Sequence, residues 1–222
     1  MRAILLPGMD GSGELLSDFA AALAPEFDAS VIVYPPDVVM DYVALREHVR
    51  AALPTDESFV LIAESFSGPI AIELAAEQPP GLVGLVLSNS FARRPRAAGG
   101  WRSWLVGRLP HARVPAWLYS GWLLGRWSSR SWRKRLRLAV APLGRDVLRQ
   151  RLRDVQQVNV LDLVSRIPCP LLVLRATHDR LVSRDSWLAM RDRSRHAVCI
   201  EIHGPHLLLQ AQPQACADAI KQ

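Results

Sequence analysis

At 222 residues, half of them hydrophobic, the chain has the length of one domain with a substantial core, and its apolar share excludes a disordered chain. Its three cysteines, Cys169, Cys199 and Cys216, are widely spaced and odd in number, which excludes a disulfide framework and the ligand spacing of a metal site, so no metal is expected. The net charge of +6 conceals an asymmetry: residues 92–166 hold 17 Lys and Arg against three acids, the rest holds 10 against 18, and six of the seven tryptophans lie between Trp101 and Trp132.

Residues 3–6 read as a strand, followed by the turn Pro7-Gly8-Met9-Asp10-Gly11-Ser12-Gly13 and a helix over about 15–23. This first apolar run is too short for a signal-peptide core, and no stretch reaches membrane-spanning length, so a soluble cytoplasmic protein is expected. Residues 30–34 predict a strand stopped by Pro35-Pro36, and 41–53 a helix with Val43, Leu45, Val49 and Leu53 as its apolar positions. The apolar run Phe59-Val60-Leu61-Ile62 enters Ala63-Glu64-Ser65-Phe66-Ser67-Gly68, and a helical pattern starts at once with Pro69. Residues 82–87 form the next strand, ending at Ser88-Asn89-Ser90. From 92 to about 160 the pattern changes to helical stretches of Trp, Leu and Arg separated by Gly and Pro. Strand 169–175, helix 184–193, strand 197–202 and helix 213–220 then resume the alternation. Apolar runs alternating with helices predict an α/β fold, a mostly parallel sheet of about six strands covered on both faces. The core is expected over 1–91 and 161–222, with 92–160 as a helical cap insertion.

The segment around Ser65 has a mechanical reading. A strand ending in small-x-Ser-x-small-Gly and turning straight into a helix sets the serine on a sharp, strained turn with its hydroxyl exposed. Small residues two before and two after it let the strand and helix backbones pass closely. Ala63 and Ser67 stand where glycines are usual, and both remain small. The turn Gly11-Ser12-Gly13 lacks the third glycine of a dinucleotide fingerprint and the Lys-Ser/Thr ending of a phosphate loop, so no cofactor is expected.

The six residues around Ser65 resemble the nucleophile elbow of the α/β-hydrolase superfamily, and the resemblance extends over nearly the whole chain, with closest likeness to compact bacterial esterase-like hydrolases. It implies that Ser65 is a nucleophile and that an acid and a histidine follow it in chain order, each past a late strand. A serine hydroxyl needs a general base, and that base an orienting carboxylate. Asp179, in Arg175-Ala176-Thr177-His178-Asp179-Arg180-Leu181-Val182, suits the acid, although it also suits a cap for the helix near Arg184. His206, in His203-Gly204-Pro205-His206, suits the base; His203 and His178 are its rivals. An oxyanion hole is implied at the backbone amides of Phe66 and Met9. The family's usual His-Gly-x is here Pro7-Gly8-Met9, without the histidine. A serine nucleophile sets the chain apart from the dehalogenase and epoxide hydrolase branches, which require a carboxylate.

The expected activity is hydrolysis of a carboxylic ester or thioester with an apolar acyl part, through an acyl-enzyme. The acyl part is expected beneath the cap, at Trp101, Trp104, Trp117 and Trp122. The cap's cations Arg130, Arg133, Lys134, Arg135 and Arg137 have three readings. They solvate the outer face of a cap helix, they steer an acidic acyl carrier protein, or they meet an anionic membrane surface. The carrier reading follows the pimeloyl-carrier-protein methyl ester esterases of the same superfamily and brings hydrolysis of a carrier-linked acyl group, or acyl transfer, as an alternative activity. Nucleic acid is disfavoured because no binding motif accompanies the charge. A non-catalytic ligand-binding protein on the same scaffold is the alternative from another class.

Overall fold

The computed structural model describes residues 1–95, 116–194 and 196–222. Six strands, β1 (Arg2–Leu6), β2 (Asp28–Val31), β3 (Phe59–Glu64), β4 (Leu82–Ser88), β5 (Leu171–Ala176) and β6 (Ala197–Ile202), form one sheet in the order β2-β1-β3-β4-β5-β6. Every neighbouring pair is parallel, as the alternation of the sequence predicts. The helices are α1 (Ser17–Leu23), α2 (Tyr42–Ala51), α3 (Gly68–Ala76), α4 (Ala116–Leu123), α5 (Arg130–Val140), α6 (Arg145–Gln157), α7 (Arg184–Arg191), α8 (Leu208–Ala211) and α9 (Pro213–Lys221).

Successive strand residues point to opposite faces, and both faces of this sheet are apolar. Ile4, Leu6, Phe59, Leu61, Ala63, Leu85, Leu87, Leu171 and Val173 pack against Leu45 and Val49 of α2, Ile70 and Leu74 of α3 and Met190 of α7. Ala3, Leu5, Val60, Ile62, Val86, Leu174 and Ala176 pack against Phe19 and Leu23 of α1 and Cys216 and Ala217 of α9. Helix starts follow local chemistry. Asp41 caps α2 by accepting from the Ala44 amide at 2.8 Å, and Ser129 caps α5 by accepting from the Trp132 amide at 3.1 Å; each satisfies an amide with no partner inside the helix.

The second strand differs from its predicted span: it begins at Asp28 and ends at Val31. The Ile32 amide still donates to Leu5 O of β1 at 3.0 Å, and the chain then departs, the Tyr34 amide donating to the Gly11 carbonyl at 2.8 Å, following the glycine turn. The predicted helix at 15–23 divides into a 3-10 turn, Glu14–Leu16, and α1.

The segment between β4 and β5 leaves and rejoins the core at one place. The Arg94 amide donates to Val158 O at 3.0 Å and the Val160 amide to Ala92 O at 2.7 Å. Within the segment, α4 and α5 build a third apolar cluster, Leu124, Leu136 and Ala139, which closes on Leu15 and Leu207 of the core. Among the described residues no helix is long and apolar enough to cross a membrane.

Candidate active site

β3 delivers Ser65 to the C-terminal edge of the sheet, where the chain turns directly into α3. Ser65 has φ +47°, a left-handed conformation that costs a non-glycine residue roughly 1–2 kcal/mol. Close packing enforces the turn: a Cβ added at Gly68 would lie 1.7 Å from Ser90 Oγ. Ser90 in turn donates to the Ser65 carbonyl at 2.6 Å. Ser67 stands where a glycine is usual and uses its hydroxyl. It donates to the Pro7 carbonyl and accepts from the Tyr34 hydroxyl at 2.6 Å, binding the end of β1 to the elbow.

Ser65, Asp179 and His206 come together from loops 141 and 27 residues apart in sequence. Ser65 Oγ lies 2.9 Å from His206 Nε2, and His206 Nδ1 lies 3.0 and 2.9 Å from the two Asp179 oxygens. A carboxylate at Nδ1 fixes the proton there, so Nε2 is left to accept from the serine hydroxyl. Asp179 Oδ1 also accepts from the amides of Leu181 and Val182 at 2.7 and 3.0 Å, which pins the carboxylate; α7 begins instead after Ser183. His206 is 3% exposed. Burial opposes its charged form, but the Asp179 carboxylate, by charge and hydrogen bond, and the charge of Glu64 outweigh it, so the His206 pKa lies above its ordinary 6.5. The two rival histidines sit elsewhere: His178 and His203 stack edge to face 4.8 Å apart, both against Trp127.

Asn89, at the end of β4, ties these loops together. Its Nδ2 donates to the carbonyls of Pro205 and His206 at 3.2 and 2.6 Å, and its Oδ1 accepts from the Ala176 amide at 2.7 Å. Neither Asn89 nor Ser90 is among the residues singled out from sequence. Their signal was a polar Ser88-Asn89-Ser90 run closing an apolar strand.

The Gly8–Met9 turn is held through both of its carbonyls. Gly8 O accepts from the Gly11 amide at 3.1 Å, Met9 O accepts from Arg151 Nη1 at 2.8 Å, and the Gly8 amide supports the Glu64 carboxylate. The Met9 amide donates to nothing among the described residues. Phe66 is fixed by the Tyr42 hydroxyl, which donates to its carbonyl at 2.9 Å, and by stacking on the Tyr42 ring at 4.8 Å. Glu64, 2% exposed, accepts from Gln210 Nε2 at 3.0 Å. Burial, with the charge of Asp10, pushes its carboxyl up to about 7.

Above this edge lie Leu124, Leu136, Leu207 and the partly buried Tyr119, Leu123, Trp127 and Trp132. The Leu207 amide, next to His206, donates to Leu123 O at 3.2 Å, and Arg180 donates to Gly121 O at 2.9 Å. Of the four tryptophans expected over the acyl part, Trp101 and Trp104 lie outside the described residues, as does the side chain of Trp117. Trp122, on α4, is half-buried. Of the five expected surface cations, Arg135 makes a surface ion pair, donating to Asp18 at 2.7 Å, and covers the Trp132 ring at 4.4 Å. Arg130, Arg133, Lys134 and Arg137 form no ion pair among the described residues.

No curated protein matches this chain in sequence. Solved structures do match in shape. A hydrolase from Pseudomonas aeruginosa PA01 shares 19% identity over 99% of this chain and 88% of its own, with a TM-score of 0.81. An esterase from Exiguobacterium antarcticum shares 10% over 100% and 90%, with a TM-score of 0.85. A bromoperoxidase from Bacillus anthracis shares 12% over 99% and 90%, with a TM-score of 0.84. At such identities the likeness is one of fold, and the activities named are those proteins' own. The family model described as the alpha/beta hydrolase family matches residues 3–219, and on that match, over the six-stranded parallel sheet described above, the chain belongs to the alpha/beta hydrolase family.

Proposed function

We propose that the protein is a serine hydrolase of carboxylic esters or thioesters with an apolar acyl part. The observation that carries this reading is the hydrogen-bonded run from Ser65 Oγ through His206 to Asp179, at 2.9 Å on either side of the imidazole, built on a strained serine. Ser65 Oγ attacks the carbonyl carbon while its proton passes to His206 Nε2, and Asp179 stabilises the imidazolium. The amides of Met9 and Phe66 receive the oxyanion. Collapse breaks the bond to the leaving alcohol or thiol, which takes the proton from His206. Water then loses a proton to His206, attacks the acyl-serine, and the acid departs as Ser65 regains its proton.

We read residues 92–160 as a cap. The apolar cluster of Leu124, Leu136, Trp127 and Trp132 against Leu207 supports an apolar acyl chain beside His206, and the tryptophans from Trp101 to Trp122 extend that reading. Ser65→Ala should lower hydrolysis of a short p-nitrophenyl ester by about 10³-fold or more with an unchanged melting temperature. It should also abolish labelling by a fluorophosphonate. Retained labelling would refute Ser65 as nucleophile, and an active site that binds acyl ligands without turnover would turn the reading to a ligand-binding protein.

A further inference from the structure

We propose that Arg151, reaching in from α6, is the positioning residue of the Gly8–Met9 turn, so that the second oxyanion donor is set by a helix that carries none of Ser65, Asp179 and His206. This rests on the serine-hydrolase reading above, in which Met9 supplies that donor.

Arg151 is 1% exposed, and no carboxylate lies within ion-pair distance of it among the described residues. Burial lowers its pKa, with Tyr34 and Asp10 opposing at longer range. A buried guanidinium without a counter-ion is costly unless its donors are used. Two of them are. Nη1 donates to Met9 O at 2.8 Å and Nη2 to Pro35 O at 3.3 Å. The group also faces the rings of Tyr34 and Phe66, with its carbon 5.6 and 5.9 Å from their centroids, a cation–π arrangement. Arg151 therefore touches both residues whose amides are the proposed oxyanion donors.

The turn is shaped around this group. Gly11 has φ +73°, and a Cβ there would stand 2.6 Å from Arg151 Nη1. With Gly8 O taken by Gly11 and Met9 O taken by Arg151, both carbonyls of the turn are used within the protein, and the Met9 N–H is left to meet a substrate oxygen; Arg151 Nε has no partner among the described residues. An arginine suits this task because its planar fork spans two carbonyls at once. α6 belongs to the segment whose stem pairs Arg94 with Val158, outside the strands and loops that carry the serine, acid and histidine.

The test uses the full chain carrying Arg151→Met and Arg151→Lys, with Arg151→Lys as the milder change should the methionine variant not fold. With a short p-nitrophenyl ester, kcat should fall by about 10- to 100-fold in Arg151→Met, less than the roughly 10²–10³-fold that outright loss of an oxyanion donor costs, while KM changes little. Inhibition by a trifluoromethyl ketone, whose adduct places an oxyanion in the same hole, should weaken in parallel with kcat. The lysine variant, able to reach Met9 O alone, should recover part of both. Hydrogen exchange of the amides of residues 8–13 should be faster in each variant than in the unaltered chain. Folded variants with unaltered kcat, ketone affinity and exchange overturn the proposal, as does a change in KM alone. If the unaltered chain hydrolyses no ester and takes no fluorophosphonate, the serine-hydrolase reading fails. Exchange at residues 8–13 then decides whether Arg151 holds the turn, and equal rates overturn that as well.

Discussion

His206 and Glu64 both hold protons more tightly in the folded chain than they do free in water, and the two have different consequences. In the proposed reaction His206 must be neutral to accept the serine proton. With the His206 pKa raised above 6.5 by Asp179 and Glu64 against the effect of burial, kcat/KM should fall on acidification with a midpoint above pH 6.5. A pH–rate profile checks this, and Asp179→Asn should carry the midpoint downward. For stability, a raised folded-state pKa means that the folded chain binds more protons, so stability declines as pH rises through the gap. For Glu64 that gap runs from 4.5 to about 7. The fully buried carboxyl thus forfeits on the order of 3 kcal/mol across this window. Glu64→Gln should remove that decline while leaving Gln210 and Gly8 a polar partner. Urea midpoints at pH 5 and pH 8 should differ less in the variant than in the unaltered chain.

At the scale of elements, the contact between α3 and the end of β4 governs whether the elbow closes. Gly68→Ala would drive a Cβ to 1.7 Å from Ser90 Oγ and 2.7 Å from its Cβ. A loss of about 1–3 kcal/mol is expected from such overpacking, read as a lower urea midpoint, with Ser90→Ala restoring part of it. Much of this architecture was legible in the chain alone. Runs of β-branched and aliphatic residues spaced by helical patterns marked the inner strands β1, β3, β4 and β5, because parallel strands covered on both faces are largely apolar; at β2 the run 30–34 met only Ser30 and Val31. Ser65 was legible through its small neighbours. The order Ser65, Asp179, His206 pointed to the three side chains that the structure brings within hydrogen-bond distance. What periodicity could not show are contacts made across the sheet between single polar groups. Asn89 spans β5 and the His206 loop, and Arg151 joins positions 142 residues apart in sequence. A buried arginine also runs against the apolar pattern by which cores are read. The early end of β2 was hidden for a related reason: Tyr34 chooses a glycine carbonyl in a distant turn over its own ladder.

At the scale of the molecule, charge is divided as chemistry is. The acids concentrate in the sheet-bearing parts, and 17 of the 27 cations lie in residues 92–166. On α5, Arg130, Arg133, Lys134 and Arg137 are left without acidic partners among the described residues. If they steer an acidic acyl carrier, Arg133→Glu with Arg137→Glu should slow turnover of a carrier-linked acyl chain, increasingly so at low salt, while a p-nitrophenyl ester is hydrolysed as before. Equal effects on both substrates would exclude docking through α5. Sedimentation with anionic vesicles would favour the membrane reading of the same surface.

The stem at Arg94 and Val158 carries a last consequence, for how this molecule tolerates change. Because the two ends of the segment are already joined by backbone hydrogen bonds, the entropy of closing the loop is met at the stem. Each doubling of the chain between them adds only about 0.6 kcal/mol. Insertions and deletions there should therefore cost the sheet little, provided they keep the bonds by which the segment meets Leu207 and Arg180. Arg151 marks the limit of that freedom: a change in length that displaces α6 withdraws a buried side chain from the carbonyls of Met9 and Pro35.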